Sequence, residues 1–184
     1  MFRRLSVLCV ILLVIGAVTA AAQVPVAPRV PAIRAMVKAP GLSTYLALEC
    51  TGPYTQFPAM EKRFLSEFKA SRQPATGPEI AVYWNSPLYV PPEQLKWDIG
   101  YPVTANTKNA GTLVVKKFPY QKVAAVVHVG PYLTTYHTIN ALYDWIAASG
   151  LKTVGGPCVE RYLDPDPDRV PDAQKRTEIL IPVQ

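Results

Sequence analysis

The sequence predicts an α+β domain made of two similar halves, each with the order β-β-α-β-β. The first observation is an internal repeat: Gly52-Pro53-Tyr54 recurs as Gly130-Pro131-Tyr132, and residues 98–103 recur as residues 178–183. The second is the hydrophobic pattern, which changes in each half from strand-like runs to one helical stripe and back. Two similar halves are expected to share a core and to leave a ligand-sized cleft where they meet.

In the first half, four strands are predicted over residues 33–38, 44–50, 81–84 and 95–103, because β-branched and aromatic residues alternate there between turn residues. A helix is predicted between the second and third strands. Its apolar face is formed by residues at helical spacing, namely Phe57, Met60, Phe64, Leu65 and Phe68.

The second half repeats this order, with strands predicted over residues 112–118, 122–129, 158–163 and 175–183. Val115-Lys116 repeats Val37-Lys38 near the start of each half. The helix between the second and third strands is predicted from an apolar stripe that we expect to face the core: Tyr132, Tyr136, Ile139, Tyr143 and Ile146. Gly150 follows its last turn, as is typical of a helix C-terminus.

The N-terminus is typical of a targeting segment. Arg3 and Arg4 precede an apolar run that ends at Ala20-Ala21-Ala22, so residues 1–22 are predicted to be a cleaved signal peptide. An uncleaved membrane anchor is the alternative, since the run is nearly long enough to span a bilayer. Residues 23–32 form a Pro-rich linker, and residues 33–184 form the domain, with halves 33–103 and 111–184. We expect a periplasmic or secreted protein that meets a membrane only through this segment.

The charge pattern argues against a nucleic-acid partner. Without Arg3 and Arg4 the chain has 17 Lys and Arg residues against 13 Asp and Glu residues, a mild excess. The basic residues are scattered and form no dense run interleaved with aromatic residues, as a nucleic-acid surface would. We expect a monomer with no nucleic-acid partner.

Neither a metal nor a cofactor is predicted. His128 and His137 are well separated, and the acidic segment 164–168 contains prolines that prevent a tight calcium loop. Cys50 and Cys158 remain after cleavage of the signal peptide, and they could form one disulfide or stay as buried free thiols.

The order and spacing of three motifs, Gly130-Pro131-Tyr132, Glu160-Arg161-Tyr162 and the 177–183 segment, give a family resemblance. Over residues 33–184 the chain resembles the GyrI-like small-molecule-binding domain, also known as the effector-binding domain of bacterial transcription activators. The resemblance implies a pseudo-twofold fold with two helices on one face of a curved antiparallel sheet and a groove on the other. It also implies an amphipathic, often cationic, aromatic ligand held by aromatic walls and an acidic residue.

Two acids are candidates for the base of this groove. Glu178 points away from Thr177, Ile179 and Ile181, and its counterpart in the first half is Asp98. The other candidate, Glu160, shares a strand face with Tyr162, and the corresponding first-half residues are Val82 and Trp84. The sequence does not distinguish between the two acids. The candidate aromatic walls are Tyr54, Trp84, Trp97, Tyr101, Tyr132 and Tyr162.

Three functions are compatible with these residues. The first is an exported binding protein that captures amphipathic or cationic aromatic compounds without chemistry. The second is a hydrolase of reactive small molecules, in which Glu160 or Glu178 acts as general base with help from Tyr162. The third is a haem-binding module, for which His128 is the available axial ligand.

Overall fold

The computed structural model describes residues 33–184, so the predicted signal segment and linker lie outside the described residues. Within this range the chain forms eight strands and two α-helices. Every predicted strand is present, with bounds that differ from the prediction by three residues or fewer. In chain order the elements are β1 (Met36–Lys38), β2 (Thr44–Thr51), α1 (Phe57–Ser71), β3 (Ile80–Tyr83), β4 (Lys96–Pro102), β5 (Val114–Lys117), β6 (Val123–Val129), α2 (Thr135–Ala148), β7 (Cys158–Tyr162) and β8 (Arg176–Pro182).

All eight strands pair antiparallel in one sheet with the order β1-β6-β8-β7-β3-β4-β2-β5. The central pair, β7 and β3, joins the two halves. The edge strands are exchanged, because β1 of the first half pairs with β6 of the second, and β5 of the second pairs with β2 of the first. The α+β architecture is therefore confirmed, while the internal duplication stays a prediction.

The sheet register corrects the alignment of the two halves in their third strands. Ala81 pairs with Ile99, and Glu160 pairs with Ile179. Ile99 and Ile179 are counterparts in the repeated segment, so Glu160 corresponds to Ala81 and not to Val82. By the same register Tyr162 corresponds to Tyr83 and not to Trp84.

Both helices pack on one face of the sheet, which we call the helix face. Phe64 of α1 is buried there against Trp97 and Ile99, and Leu142 of α2 is buried against Ile179. The opposite face, which we call the rear face, has its own apolar core, formed by residues that include Tyr45, Ile80, Val82, Val159 and Leu180. Alternation along the strands places each side chain on one of these two faces.

The second helix is rotated relative to the sequence prediction. Leu142 and Ile146 are its most buried apolar residues, whereas Tyr136 and Tyr143 are 53% and 41% exposed. The prediction that these two tyrosines belong to the core is therefore wrong. Within residues 33–184, neither helix has the length and hydropathy required to cross a bilayer.

Candidate ligand-binding cavity

A cavity of about 1930 Å³ opens on the helix face, between α1 and α2 and above the central strands. Phe57 and Glu61 line it from α1, Tyr136 and Tyr143 line it from α2, and Glu160 of β7 lies at its floor. The cavity is thus on the same face as the helices, and not on the opposite face as the family resemblance implied. Two amphipathic helices leave this space because each packs over one outer part of the sheet and neither covers the centre.

The two Gly-Pro-Tyr turns bring matching aromatic residues into the cavity. Gly52 and Gly130 have φ angles of 119° and 147°, which residues with a side chain rarely adopt. Each turn directs the tyrosine that follows it toward the floor. Tyr54 then packs edge-to-face on Tyr83 with ring centroids 4.9 Å apart, and Tyr132 packs on Tyr162 at 5.2 Å.

Glu160 is the acid at the floor, and only 5% of it is exposed. Its Oε2 accepts a hydrogen bond from the Tyr162 hydroxyl at 3.1 Å and a longer one from the Tyr83 hydroxyl at 3.4 Å. Burial raises the pKa of Glu160, and hydrogen bonds from Thr135, Tyr162 and Tyr83 oppose this shift. No described Lys or Arg pairs with this carboxyl.

A second acidic group lies beside the first. Glu79 precedes β3, and its Oε2 accepts a hydrogen bond from the Tyr101 hydroxyl at 3.2 Å. The Glu61 carboxyl of α1 lies near Glu79. Burial and the nearby Glu61 raise the pKa of Glu79 to about 7, and burial also raises the pKa of Glu61.

The cavity is acidic although the chain as a whole is basic. Among residues 33–184, six carboxyl groups and a single lysine line it: Glu61, Glu79, Asp144, Glu160, Asp164, Asp168 and Lys175. Asp164 is neutralised by Arg176, whose Nη2 lies 2.8 Å from its Oδ1, and Lys175 pairs with Asp172 at the rim. In the described part of the chain, Glu160 and Glu79 therefore have no paired protein cation, while Lys175 Nζ lies 4.9 Å from the centroid of the Tyr132 ring.

The mouth of the cavity carries exposed apolar residues. Leu88, Tyr89 and Leu133 line it and are 80%, 85% and 90% exposed. An apolar rim above an acidic and aromatic floor suits a ligand that is itself both apolar and charged.

Six of the nine residues predicted from the sequence line the cavity: Tyr54, Trp84, Tyr101, Tyr132, Glu160 and Tyr162. The other three do not. Trp97 is fully buried beneath α1, where its indole N–H donates to the Gly52 carbonyl at 3.0 Å. Asp98 and Glu178 lie on the rear face.

Glu178 is part of an ion-pair network on the rear face. Its carboxylate pairs with Lys38 of β1 and with Arg161 of β7, whose Nη1 lies 2.7 Å from Oε2. Arg161 also donates to the Pro40 carbonyl at 2.8 Å. Glu178 does point away from the helices as predicted, but the cavity is on the other side of the sheet, so Glu178 does not line it.

Asp98 is likewise engaged by its neighbours on the rear face. Lys116 pairs with it at 2.9 Å, and the Tyr45 hydroxyl and the Trp84 indole N–H donate to it at 3.0 and 2.8 Å. The predicted pairing of Asp98 and Glu178 across one groove is therefore wrong. Trp84 borders the cavity, but its indole lies on the rear side of the sheet, where its N–H bonds to Asp98 and Lys116 Nζ lies 5.0 Å from the ring centroid.

The structure also shows where the two cysteines and the candidate haem ligand lie. Cys50 and Cys158 are free thiols in the structure. His128 is buried, and its ring nitrogens contact Thr138 Oγ1 at 2.8 Å, Thr134 Oγ1 at 3.2 Å and the Pro131 carbonyl at 3.3 Å. His128 thus lies outside the cavity with both nitrogens engaged, and the haem alternative loses its axial ligand.

Several lining residues are not predicted from the sequence, of which Tyr83 and Glu79 matter most. Tyr83 corresponds to Tyr162 when the halves are aligned by the sheet register, so the repeat does contain a signal for it. Glu79 follows Gly77-Pro78, a combination typical of a loop, and no local pattern marks it as a residue that faces a cavity.

The fold is shared with solved structures whose sequences are distant. The EcmrR C-terminal domain superimposes with a TM-score of 0.70 at 18% identity, covering 83% of this chain and 98% of that one. In an EcmrR–DNA complex the match has a TM-score of 0.67 at 18% identity and covers 82% of this chain and 57% of that one.

Two further structures match over the same region. A hydrolase from Listeria innocua has a TM-score of 0.59 at 14% identity and covers 82% of this chain and 91% of that one. SAV2435 bound to tetraphenylphosphonium has a TM-score of 0.62 at 12% identity, with coverages of 83% and 94%. A comparison with curated proteins gives no significant match.

The family model described as the GyrI-like small molecule binding domain matches residues 43–184. This range contains both helices, every strand except β1 and all the residues that line the cavity. The chain belongs to the GyrI-like family of small-molecule-binding domains.

Proposed function

We propose that this protein captures amphipathic aromatic cations in the cavity on the helix face, with Glu160 as the principal anionic group. The observation that carries this proposal is the buried Glu160 carboxyl, which has aromatic neighbours and no cationic partner in residues 33–184. A buried carboxylate is unstable unless a proton or a cation neutralises it. A ligand cation would neutralise the Glu160 carboxylate, and the resulting ion pair would be strong because the cavity shields it from water.

The aromatic walls support the same class of ligand. Tyr54, Tyr83, Tyr132 and Tyr162 surround the floor in two edge-to-face pairs. Aromatic ring faces attract cations, at about 0.5–2 kcal/mol for each contact, and also stack on flat aromatic groups. Lys175 Nζ already makes one such contact, since it lies 4.9 Å from the Tyr132 ring centroid. SAV2435, which shares the fold, is bound to tetraphenylphosphonium, an aromatic cation of this kind.

We also propose that the domain acts outside the cytoplasm, which rests on the signal-like composition of residues 1–22. A monomer without a nucleic-acid partner remains our prediction for this chain. EcmrR is found in a DNA complex, but the match to that chain covers only 57% of its length.

A hydrolase is the second candidate function, because the floor also has the groups that a general base needs. Glu160 accepts hydrogen bonds from two phenols, and burial raises its pKa, which makes it a better proton acceptor than an exposed carboxylate. A protein that shares the fold is described as a hydrolase. Turnover of a reactive electrophile that Glu160→Gln abolishes would favour this function over simple binding.

The binding proposal is tested by titrating the full chain with tetraphenylphosphonium and with the neutral tetraphenylmethane analogue bearing a solubilising group. We expect saturable binding of the cation with a stoichiometry of one, and binding of the neutral analogue weaker by at least about tenfold. Equal affinity for both compounds, or no saturable binding of the cation, would refute an anionic binding site.

A further inference from the structure

Resting on the proposed function, we infer that the preferred ligand of the cavity is a dication, whose second positive group binds at Glu79. The charge of Glu160 is sufficient for one cationic centre. The structure has a second carboxyl on the same face of the sheet, close enough for one compact ligand to reach both.

The backbone fixes the spacing of the two acids. The Tyr162 N–H donates to the Glu79 carbonyl at 3.0 Å, so Glu79 lies across from Tyr162 on the central strand pair. Glu160 precedes Tyr162 by two residues and therefore faces the same side. Diagonal neighbours of this kind have Cα atoms about 7–8 Å apart, and their side chains approach more closely.

Glu79 is not satisfied by its protein neighbours. Its Oε2 accepts the Tyr101 hydroxyl, while its Oε1 is buried without a hydrogen-bond partner in the described part of the chain. The nearest charged group is Glu61, which has the same sign. A carboxyl in this position, beside a second that is 5% exposed and also lacks a cation, has an unmet requirement for positive charge.

The size of the cavity agrees with a ligand that reaches both acids. Sites for a single drug-sized molecule are typically about 300–1,000 Å³. The volume here is about 1930 Å³, so a flat aromatic cation above Glu160 would leave space beside Glu79. A short arm that ends in a second ammonium group would fill that space and neutralise the second acid.

Protonation of Glu79 then couples ligand preference to pH. Burial and the nearby Glu61 raise the pKa of Glu79 to about 7, so below that pH the group is neutral and offers nothing to a second cation. The titratable or charged groups around it are Glu61, Tyr101, Tyr132, Glu160, Asp168 and Lys175. Only Lys175 in this set is basic, and its ammonium group pairs with Asp172 and lies over the Tyr132 ring.

The test compares ethidium with propidium, which share one phenanthridinium ring but differ by a second quaternary ammonium on a short alkyl arm. Fluorescence titrations of the full chain are made at pH 8 and pH 6. At pH 8 we expect propidium to bind at least about tenfold more tightly than ethidium, and we expect the ratio of the two affinities to fall toward one at pH 6.

Three variants test which residue causes the difference in affinity between propidium and ethidium. Glu79→Gln should reduce the ratio toward one at pH 8, because it removes the charge and keeps the shape. Glu160→Gln should weaken both dyes, and Glu49→Gln, an exposed rear-face change, should leave the ratio as it is.

The outcomes separate the two proposals. Failure of both dyes to bind refutes the binding function itself. Equal affinities of wild-type protein for both dyes, a ratio that pH 6 does not lower, or two propidium molecules bound for each chain refutes the dication inference while leaving cation binding intact. If Glu79→Gln does not fold, the pH dependence of the wild-type ratio decides the matter.

Discussion

Glu160 and Ala81 lie directly opposite each other on the two central strands of the sheet. They occupy corresponding places in the two halves, so an alanine stands where a second carboxylate would face the first. This difference between the halves gives the floor a single central acid with a small neutral neighbour. It also leaves space above Ala81 for a ligand to approach Glu160.

Replacement of Glu160 by Gln should weaken the binding of tetraphenylphosphonium by about tenfold to a hundredfold, corresponding to about 1.4–2.8 kcal/mol. The reason is the loss of the buried negative charge, with the shape of the side chain retained. Isothermal titration calorimetry at pH 8 measures the change. Glu49→Gln is the matched control, since Glu49 is exposed on the rear face and, among residues 33–184, pairs with Lys116 alone. Equal losses in the two variants would contradict a specific role for Glu160.

Replacement of Tyr162 by Phe should shift the pH at which cation binding is lost to a higher value. The Tyr162 hydroxyl donates to the Glu160 carboxylate and so lowers its pKa, which means that its removal raises that pKa further. Cation binding requires the charged carboxylate, so the variant should lose affinity at a higher pH than the wild type. Affinities for tetraphenylphosphonium between pH 5 and 9 measure the shift.

The control for that experiment is Tyr120→Phe, which removes a phenol from the rear face, where Tyr120 packs on Phe118. Its binding profile should overlay that of the wild type. A Tyr162→Phe profile that moves downward, or does not move, would show that this hydroxyl does not stabilise the charged form of Glu160.

Replacement of Glu178 by Gln should destabilise the fold by about 3 kcal/mol and leave ligand affinity within about twofold of the wild type. The change leaves Arg161 without its charge partner, and both side chains are largely buried, at 11% and 12% exposure. Urea denaturation followed by circular dichroism measures the loss of stability. A loss of cation affinity comparable to that of Glu160→Gln would show instead that Glu178 takes part in ligand binding.

The stability of the unliganded protein should fall as pH rises from about 5 to 8. Glu79 has an ordinary pKa of 4.5 when exposed and about 7 in the fold, so in this range the folded state holds a proton that the unfolded state has lost. Removing that proton at higher pH therefore disfavours the folded state. In thermal unfolding, Tm should decrease by several degrees across the range, and Glu79→Gln should reduce the decrease. A Tm that rises with pH to the same extent in both proteins would contradict this account of Glu79.

Much of the fold could be predicted because it depends on local patterns. Alternation along β8 correctly separated Glu178 from Thr177 and Ile179, and helical spacing located α1. The face that holds the cavity could not be predicted in this way. Both faces of the sheet bury apolar cores, so hydrophobicity alone does not show where the helices leave space.

Part of the site could also be predicted, because some of its residues belong to local patterns in the sequence. The Gly-Pro-Tyr turns marked Tyr54 and Tyr132, since their backbone requirement is visible in the sequence. The sequence does not distinguish a core position from a cavity wall for Tyr136 and Tyr143, because a tyrosine fits a buried stripe and a cavity wall equally well. The offset between the halves also changes along the chain, so the offset of the Gly-Pro-Tyr turns pairs Glu160 with Val82, whereas the sheet register pairs it with Ala81.

The exchange of β1 and β5 between the halves has a consequence for how the chain folds. During synthesis, β2 has no outer neighbour until β5 emerges, and β1 has no partner until β6 does. Neither half can therefore complete its sheet from its own sequence. We expect the domain to fold and unfold in one cooperative step, so that a chain interrupted in the connection between β4 and β5 yields no stable fragment.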